Sequence, residues 1–354
     1  MTTQTTWDHE PAALQAQYPN PQSRERWQAL RDRVIDEIQL HGRRLAEFTS
    51  NDVDVESLTR WLEAPNTWGD CLFKGQAEPR LISIADALEL RLQQFAGEDT
   101  RGRAPRVETT VTRTLFEAAE TARNFGAWVD FSAPAGLGKT EAKNEYLART
   151  RKRDGFNAPV WAIKLDETSV SVKALLVMIA RAVAHKSEFH EANEASMVHA
   201  ITEATIGRRG VLMIDEAQHL ADATKRQGLN TLNQLRSFTD EGCFGVVTMG
   251  NGEIYRRLVA GRGAYAQLLS RMQDYRISVA PYQAGKPGDG PALTKDDVLA
   301  VAQAWGVTGI EEQAYCLKAA ASEGALRTLT NVLRMAQARF ESLDIRCLTQ
   351  VRRF

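Results

Sequence analysis

A glycine-rich segment of eight residues carries the clearest chemistry in the sequence. It reads Ala133-Pro134-Ala135-Gly136-Leu137-Gly138-Lys139-Thr140, and it departs from the pattern G-x-x-x-x-G-K-[ST] only in its first residue, alanine instead of glycine. The two glycines allow successive backbone N–H groups to face a phosphate, and a helix beginning near Lys139 adds the positive end of its dipole. The segment therefore predicts a phosphate-binding loop.

The residues of this loop have distinct expected roles. Lys139 would reach the β- and γ-phosphate oxygens, and the Thr140 hydroxyl would ligate magnesium. Alanine at position 133 is compatible with the loop if its φ is negative. We therefore expect ATP and Mg²⁺ as cofactors, and the predicted nucleotide-binding residues are Ala135, Gly136, Leu137, Gly138, Lys139, Thr140 and Glu141.

Two carboxylates follow an apolar run further along the chain, in Val211-Leu212-Met213-Ile214-Asp215-Glu216. A buried parallel strand would end at Asp215, and open α/β sheets bind ligands at that end of their strands. Asp215 is predicted to hold magnesium together with Thr140, and Glu216 to act as the general base on an attacking water. The two motifs together predict an ATPase that converts ATP and water to ADP and phosphate.

Three later residues suit supporting catalytic roles. Asn251 follows a predicted strand, where a polar side chain could orient the water. Arg271 could reach the γ-phosphate of a neighbouring subunit as an arginine finger, with Arg256 and Arg276 as alternatives. Arg327, at the start of a C-terminal helix, could contact the phosphates from a lid.

Short apolar runs alternate with helical patterns in the middle of the chain. The runs are Trp128–Phe131, Val160–Leu165, Val211–Asp215, Gly245–Met249 and Tyr275–Val279. Such alternation predicts a mostly parallel sheet covered by helices on both faces. We predict the α/β class: an AAA+ P-loop ATPase core with a five-stranded sheet, a small C-terminal helical lid and an N-terminal all-α domain.

Composition and helical periodicity suggest boundaries for these parts. Prolines mark a polar start, apolar residues from Trp27 to Leu45 recur at helical spacing, and Thr294 with Asp297 resembles a capping box that opens a lid helix. The predicted parts are a flexible tail 1–22, a helical domain 23–97, a linker 98–108, the ATPase core 109–282 and the lid 283–354.

Hydrophobicity, cysteine spacing and net charge limit the functions that the chain can have. No run approaches 18 apolar residues and the N-terminus lacks a signal-peptide pattern, so we expect a cytoplasmic protein with no membrane partner. Four scattered cysteines fit neither a zinc site nor a disulfide framework. The net charge of −1 provides no global attraction to nucleic acid, so DNA binding would need local basic patches.

The motifs resemble those of the target-DNA-selecting ATPase of Mu-type transposable phages and, more broadly, of TniB- and TnsC-like transposition regulators. The resemblance extends over roughly residues 105–340. The segments that carry it are Pro105–Thr109, Gly136–Ala142, Val160–Ile163, Ile214–Leu220, Val247–Asn251, Leu269–Arg271 and Gly324–Arg327.

This resemblance implies activities that the composition does not show. Members of the family bind double-stranded DNA with little sequence preference and polymerise on it as ATP-loaded helical filaments. They recruit or stimulate the transposase and direct the insertion site. The implied partners are therefore DNA, further copies of this chain and a transposase, and the implied ATPase is slow and stimulated by DNA.

Several basic residues are candidates for DNA contacts. The densest run contains Arg149, Arg151, Lys152 and Arg153, and it is equally compatible with an ordinary solvated face. Lys164 and Lys173 could line a filament bore. The resemblance also implies a helix-turn-helix-like N-terminal domain, in which the segments 45–49 and 55–63 could form the two central helices, but a structural bundle or a protein-docking module fits equally well.

Other functions remain open from the sequence. A replication initiator or helicase loader would use the same ATPase core. A small-molecule kinase is disfavoured because Asp215 and Glu216 suit water activation, and a non-hydrolysing switch would have little use for Glu216.

Overall fold

The computed structural model describes most of the 354 residues. The described residues are 21–39, 43, 45–49, 55–63, 78–99, 106–154, 158–167, 171–184, 193–222, 225–261, 265–272, 275–284 and 290–351. Nearly all of the predicted tail, residues 100–105 of the first predicted linker and residues 285–289 lie outside them. The chain divides into two compact units, one formed by 1–101 with 144–158 and the other by 102–143 with 159–354. The predicted domain boundaries remain predictions.

The described N-terminal part of the first unit is helical, as the sequence predicts. Its elements are α1 (Pro21–Gln39), a 3₁₀ turn (Leu45–Phe48), α2 (Val55–Glu63) and α3 (Glu78–Asp99). Aromatic pairs form its core: Trp27 meets Trp61 edge to face at 5.5 Å between ring centroids, and Phe48 meets Phe95 at 5.3 Å. Such pairs add to the free energy gained by burying the rings. The helix-turn-helix assignment remains a prediction.

The second unit contains the predicted five-stranded parallel sheet. Its strands are β1 (Trp128–Ser132), β2 (Val160–Lys164), β3 (Gly210–Asp215), β4 (Phe244–Gly250) and β5 (Arg276–Ser278). Their order across the sheet is β2-β3-β4-β1-β5, and every neighbouring pair is parallel. The fold class predicted from the alternating apolar runs is confirmed.

Helices connect and cover these strands. They are α4 (Thr110–Phe125), α5 (Lys139–Asp154), α6 (Val172–Ala184), α7 (Glu194–Thr205), α8 (Gln218–Asp222), α9 (Lys225–Asp240), α10 (Glu253–Gly261) and α11 (Ala266–Met272). All residues of β1, β3 and β4 are buried, as is typical of parallel strands covered on both faces, and most of these residues are apolar. Gly245 allows α4 to approach β4 closely, because a Cβ there would lie 1.9 Å from the Ala122 carbonyl oxygen. Among the described residues, no helix is both long and apolar enough to cross a membrane.

One carboxyl group is buried inside the sheet. Asp130 on β1 accepts a hydrogen bond from the Thr248 hydroxyl of β4 at 3.1 Å, and the indole of Trp128 donates to the same hydroxyl. Burial raises the pKa of Asp130 to about 6, although the Thr248 hydrogen bond and the charge of Arg276 oppose this shift. Because its pKa lies above that of an unfolded aspartate, Asp130 makes folding less favourable at neutral pH than at pH 4.

The C-terminal helices pack on the core within the same unit. They are α12 (Lys295–Ala304), α13 (Ile310–Ala320), α14 (Ala325–Phe340) and α15 (Ile345–Val351). The predicted capping box is present, with the Thr294 side chain accepting from the Asp297 N–H and the Asp297 carboxylate accepting from the Thr294 N–H.

Asp297 also joins the first turn of α12 to the first turn of α4. Its carboxylate accepts from the Thr110 N–H at 3.0 Å and from the Thr110 hydroxyl at 2.7 Å, and Arg113 lies 3.3 Å away. Burial opposes ionisation, but hydrogen bonds from Thr294 and Thr110 hold the pKa of Asp297 below its ordinary value. One ionised carboxylate therefore serves two helix N-termini.

Replacing Asp297 by asparagine tests this junction. We expect the free energy of unfolding near pH 7 to fall by about 1–3 kcal/mol, since charge-assisted hydrogen bonds are lost and an amide N–H₂ faces N–H donors. The wild-type contribution is complete above the unfolded pKa near 4 and is lost as pH falls through the lower folded pKa. Urea unfolding between pH 3 and 7 should show a gap between the two proteins that narrows in acid; a pH-independent gap would contradict this role.

Candidate nucleotide-binding site

Three adjacent strands bring the predicted motifs to one edge of the sheet. The order β3-β4-β1 places the end of β4 between the ends of the other two strands. The glycine-rich loop follows β1, the carboxylates Asp215 and Glu216 end or follow β3, and Asn251 follows β4. All three strands are parallel, so their carboxyl ends share this edge, where α/β sheets bind ligands.

The glycine-rich loop has the conformation that the sequence predicts. Gly136 and Gly138 have φ angles of +85° and +89°, which favour glycine, whereas Ala133 is not among the residues with positive φ. Leu137 is buried and anchors the loop to the core. The loop ends at the N-terminus of α5, so its N–H groups and the helix dipole favour an anion.

The Lys139 ammonium lies at this loop and is bonded within it. It donates to the carbonyl oxygens of Ala133 and Pro134, the latter at 3.0 Å. Burial lowers the pKa of Lys139 below its ordinary value; the charges of Glu216 and Asp215 oppose the shift, while Arg327 adds to it. A phosphate group would add negative charge beside this half-buried cation, so the lysine fits a triphosphate ligand.

Asp215 is almost completely buried and has several partners. Its Oδ2 accepts from the Thr140 hydroxyl at 3.0 Å and from the Lys143 ammonium at 2.8 Å, while Oδ1 accepts from the Glu216 N–H. Burial alone would raise the pKa of Asp215. The charge and hydrogen bond of Lys143, together with the hydrogen bonds from the Thr140 hydroxyl and the Glu216 N–H, instead hold this pKa below its ordinary value. The carboxylate is therefore ionised at neutral pH beside the predicted magnesium ligand Thr140.

Glu216 has an unusual backbone conformation, and its side chain is hydrogen-bonded to a neighbouring residue. Its φ is +53°, in a region that residues other than glycine rarely occupy. Its carboxylate accepts a hydrogen bond from the Gln218 amide at 2.5 Å, and the Oε1 atom of Gln218 is buried without a hydrogen-bond partner. In this structure Gln218 therefore restrains the predicted general base.

The predicted sensor Asn251 is exposed at the end of β4, between the loop and the acidic pair. Its Oδ1 accepts from the Glu253 N–H at 3.0 Å and so caps α10. The strand order places it where a water-orienting side chain is required, but its sensor role remains a prediction.

The lid contacts the phosphate-binding loop through the backbone. The Arg327 N–H donates to the Gly136 carbonyl oxygen at 3.0 Å, which brings the first turn of α14 onto the loop. A Cβ on Gly136 would lie 2.0 Å from the Gly324 carbonyl oxygen, so only glycine permits this approach. The backbone of Arg327 thus contacts the loop, and its side chain is exposed there, as its predicted phosphate contact requires.

The arginines considered for the finger have intramolecular contacts. Arg271 is exposed at the end of α11 and lies 3.1 Å from Asp240. Arg256 pairs with Glu253 at 2.9 Å, and the Arg276 guanidinium stacks on Tyr255. A role in a neighbouring subunit remains a prediction for each of them.

The candidate DNA-binding residues fall into two groups. In the first unit, three of them have a nearby carboxylate: Arg149 with Glu145, Lys152 with Asp36, and Arg153 with Asp154, at 2.6–2.7 Å. Burial lowers the pKa of the fourth, Arg151, to about 10. The other group lies in the second unit, where Lys164 and Lys173 are exposed. Lys164 ends β2 in register with Asp215, so it lies near the nucleotide edge of the sheet.

Sequence reasoning did not single out Lys143 or Gln218. Lys143 lies one helical turn after Lys139, and that spacing could have placed it on the site-facing side of α5. Its ion pair with Asp215 joins residues 72 positions apart, which the sequence alone does not show.

These residues fit ATP with Mg²⁺. The loop N–H groups and Lys139 suit the phosphates, while the Thr140 oxygen and the ionised Asp215 are the hard oxygen ligands that Mg²⁺ prefers. Bound Mg²⁺ would neutralise charge that develops on the phosphates. Glu216, whose charge acts on Lys139, supplies a carboxylate that can accept a proton from water.

Comparisons with known proteins agree with this site. Residues 131–258 match an AAA domain family, and residues 284–346 match the family of the Mu B transposition protein, C terminal. The chain is 27% identical over 256 residues to the ATP-dependent target DNA activator B of Escherichia phage Mu, covering 72% of this chain and 73% of that protein. It is also 27% identical over 228 residues to the Mu-like prophage FluMu DNA transposition protein B of Haemophilus influenzae, covering 63% and 70%.

A solved structure of a Walker-type ATPase from Pyrococcus abyssi is also similar, with a TM-score of 0.47 and 13% identity over 71% of this chain and 73% of that one. The AAA match spans the phosphate-binding loop, Asp215 and Glu216, and the second family match spans the lid. The resemblance to the Mu-type transposition ATPases is confirmed by these relatives.

Alanine at Gly136 tests the contact between lid and loop, with alanine at Gly138 as a matched control. Both glycines have nearly the same φ, so both variants should lose about 1–2 kcal/mol from backbone strain. Only the Cβ at position 136 meets the lid; the one at 138 meets nothing within 4 Å. We expect Gly136→Ala to lose additional stability without nucleotide, with backbone amides at 325–329 exchanging at least about tenfold faster. Equal stability loss and unchanged exchange would contradict the contact.

Proposed function

We propose that this chain, a relative of the Mu-type transposition ATPases, is an ATP-dependent DNA-binding regulator of transposition. It binds ATP and Mg²⁺, forms filaments on target DNA, recruits or stimulates a transposase and so selects the insertion site. The observation that carries the proposal is a single chain in which Thr140, Asp215 and Glu216 meet beside the glycine-rich loop and whose C-terminal part matches the family of the Mu B transposition protein, C terminal.

Each residue of the site has a role in hydrolysis. The loop, Lys139 and the helix N-terminus orient the phosphates, and Thr140 with Asp215 holds the magnesium ion. Glu216 accepts the proton of the attacking water once its carboxylate leaves Gln218. That release requires a rearrangement on nucleotide or DNA binding, which is consistent with slow hydrolysis in the free protein.

The oligomer completes the site from outside. Arg271 lies on the surface of its own chain, paired with Asp240 and 58% exposed. An exposed ion pair of this kind contributes little to stability, so a neighbouring phosphate can displace Asp240. Assembly therefore places Arg271 at the γ-phosphate of the next subunit and makes hydrolysis depend on the filament.

DNA binding is supported by the phage Mu relative, which is an ATP-dependent target DNA activator. Within this chain, the exposed Lys164 ends β2 at the nucleotide edge of the sheet. The exposed Lys173 lies in the first turn of α6, the helix that follows β2. Contacts to phosphates need no base recognition, which suits a regulator that accepts many sequences. The C-terminal match favours this function over a replication initiator or helicase loader built on the same core.

Filament formation and ATP hydrolysis can be tested together with two variants. Wild-type protein should form filaments on duplex DNA with ATP, seen by negative-stain electron microscopy, and its ATPase rate should rise with DNA. Glu216→Gln should retain the filaments while hydrolysis falls at least about 100-fold, because the general base is lost.

Lys139→Ala is the control for nucleotide binding and should form no filament. Closed rings in place of filaments, or no DNA association at low salt with any nucleotide, would contradict the proposed function. ATP hydrolysis without DNA association would leave an ATPase with a different partner.

Mixing two inactive variants tests the arginine finger. Arg271→Ala keeps its own hydrolytic residues but has no finger to offer, whereas Glu216→Gln offers a finger but lacks the base. If Arg271 acts between subunits, equal mixtures should recover ATPase activity, because Arg271→Ala sites then adjoin intact fingers. The same mixture made with Arg256→Ala serves as the comparison. No recovery with Arg271→Ala, with recovery for Arg256→Ala, would move the finger to Arg256.

A further inference from the structure

A buried lysine occupies the metal side of the nucleotide site. The Nζ atom of Lys143 lies 2.8 Å from Oδ2 of Asp215, and the two side chains are only 9% and 2% exposed. The hydroxyl of Thr140 donates to the same carboxylate oxygen at 3.0 Å. The Lys143 ammonium and the Thr140 hydroxyl, which is expected to ligate magnesium, therefore both contact Oδ2 of Asp215.

This lysine cannot be explained as a phosphate ligand. Lys139 is the cation that ends the phosphate-binding loop and contacts its carbonyl groups. Lys143 lies one turn further along α5, and its ammonium contacts Asp215 at the end of β3. Its hydrogen bond goes to the carboxylate that the nucleotide-bound metal requires.

The charges explain what Lys143 does before nucleotide arrives. An ionised carboxylate buried alone would be strongly unfavourable, whereas a paired one is tolerated. A unit positive charge beside Asp215 also repels a divalent cation, and water screens this repulsion little because the side chains of Lys143 and Asp215 are both buried. Lys143 thus stabilises the metal-free site and opposes occupation of that site by Mg²⁺ alone.

We propose that Lys143 is a positioning residue that makes metal binding depend on nucleotide. When no metal is bound, its ammonium pairs with Asp215 and holds that carboxylate against Thr140. The phosphates of ATP supply the additional negative charge that overcomes its repulsion, so Mg²⁺ enters with nucleotide. This role deepens the proposed ATPase function and rests on the assignment of Thr140 and Asp215 as the metal-binding pair.

The test measures binding of Mn²⁺, a paramagnetic substitute for Mg²⁺, to the nucleotide-free full chain by electron paramagnetic resonance. Wild-type protein should bind it weakly, and should bind it far more tightly when a non-hydrolysable ATP analogue is present. Lys143→Gln keeps a hydrogen-bond donor but removes the charge. We expect it to bind Mn²⁺ without nucleotide at least about tenfold more tightly than wild type.

Two further variants locate the effect. Lys143→Gln combined with Asp215→Asn removes both charges and leaves no unpaired buried ion, so it should fold and lose the gain in Mn²⁺ affinity. Lys318→Met removes an exposed lysine of the lid and should behave as wild type. If Lys143→Gln folds poorly, added Mn²⁺ alone should raise its melting temperature, with no such rise in the double variant.

Equal Mn²⁺ affinity of wild type and Lys143→Gln without nucleotide would overturn the proposal. So would a gain that persists in the double variant, because the metal would then bind elsewhere. No DNA is present in these measurements. A failure to form filaments would therefore count against the transposition function alone, while the Mn²⁺ result would still decide the role of Lys143.

Discussion

The buried carboxylate of Asp215 is the interaction on which the site depends. It ends a strand of apolar residues and is 1% exposed, where an unpaired charge would be costly. Lys143, Thr140 and the Glu216 N–H offset that cost, and through them the carboxylate links the β1–α5 loop to β3. The residues predicted to bind phosphate and those predicted to bind the metal are thus held together.

The lid is attached to the same loop by close backbone contact. Gly136 approaches Gly324 so closely that a methyl group would not fit, and the Arg327 N–H bonds to the loop carbonyl. On the other side, Asp297 connects the first lid helix to α4. A change in the loop on nucleotide binding would therefore act directly on α14, whose first turn carries Arg327.

Sequence periodicity predicts the sheet because most of its strands are short, largely apolar runs set between helices, whereas β5 has only one apolar residue. The strand ends then place the loop, Asp215, Glu216 and Asn251 at one edge without further information. Short helices such as α8 and α11 have only one or two turns, which carry little periodic signal. The pair Lys143–Asp215, the restraint of Glu216 by Gln218 and the contact of Gly136 with the lid depend on three-dimensional proximity. Local spacing in the sequence does not encode it.

A cryo-electron-microscopy structure of the chain with duplex DNA and a non-hydrolysable ATP analogue would test the proposed function most directly. We expect the phosphates against the loop that ends at Thr140, a metal ion beside Asp215, and an arginine from the adjacent subunit at the γ-phosphate. We also expect a helical assembly in which Lys164 and Lys173 face the DNA. A nucleotide bound away from this loop, or DNA held by a single subunit without an assembly, would contradict the proposed function.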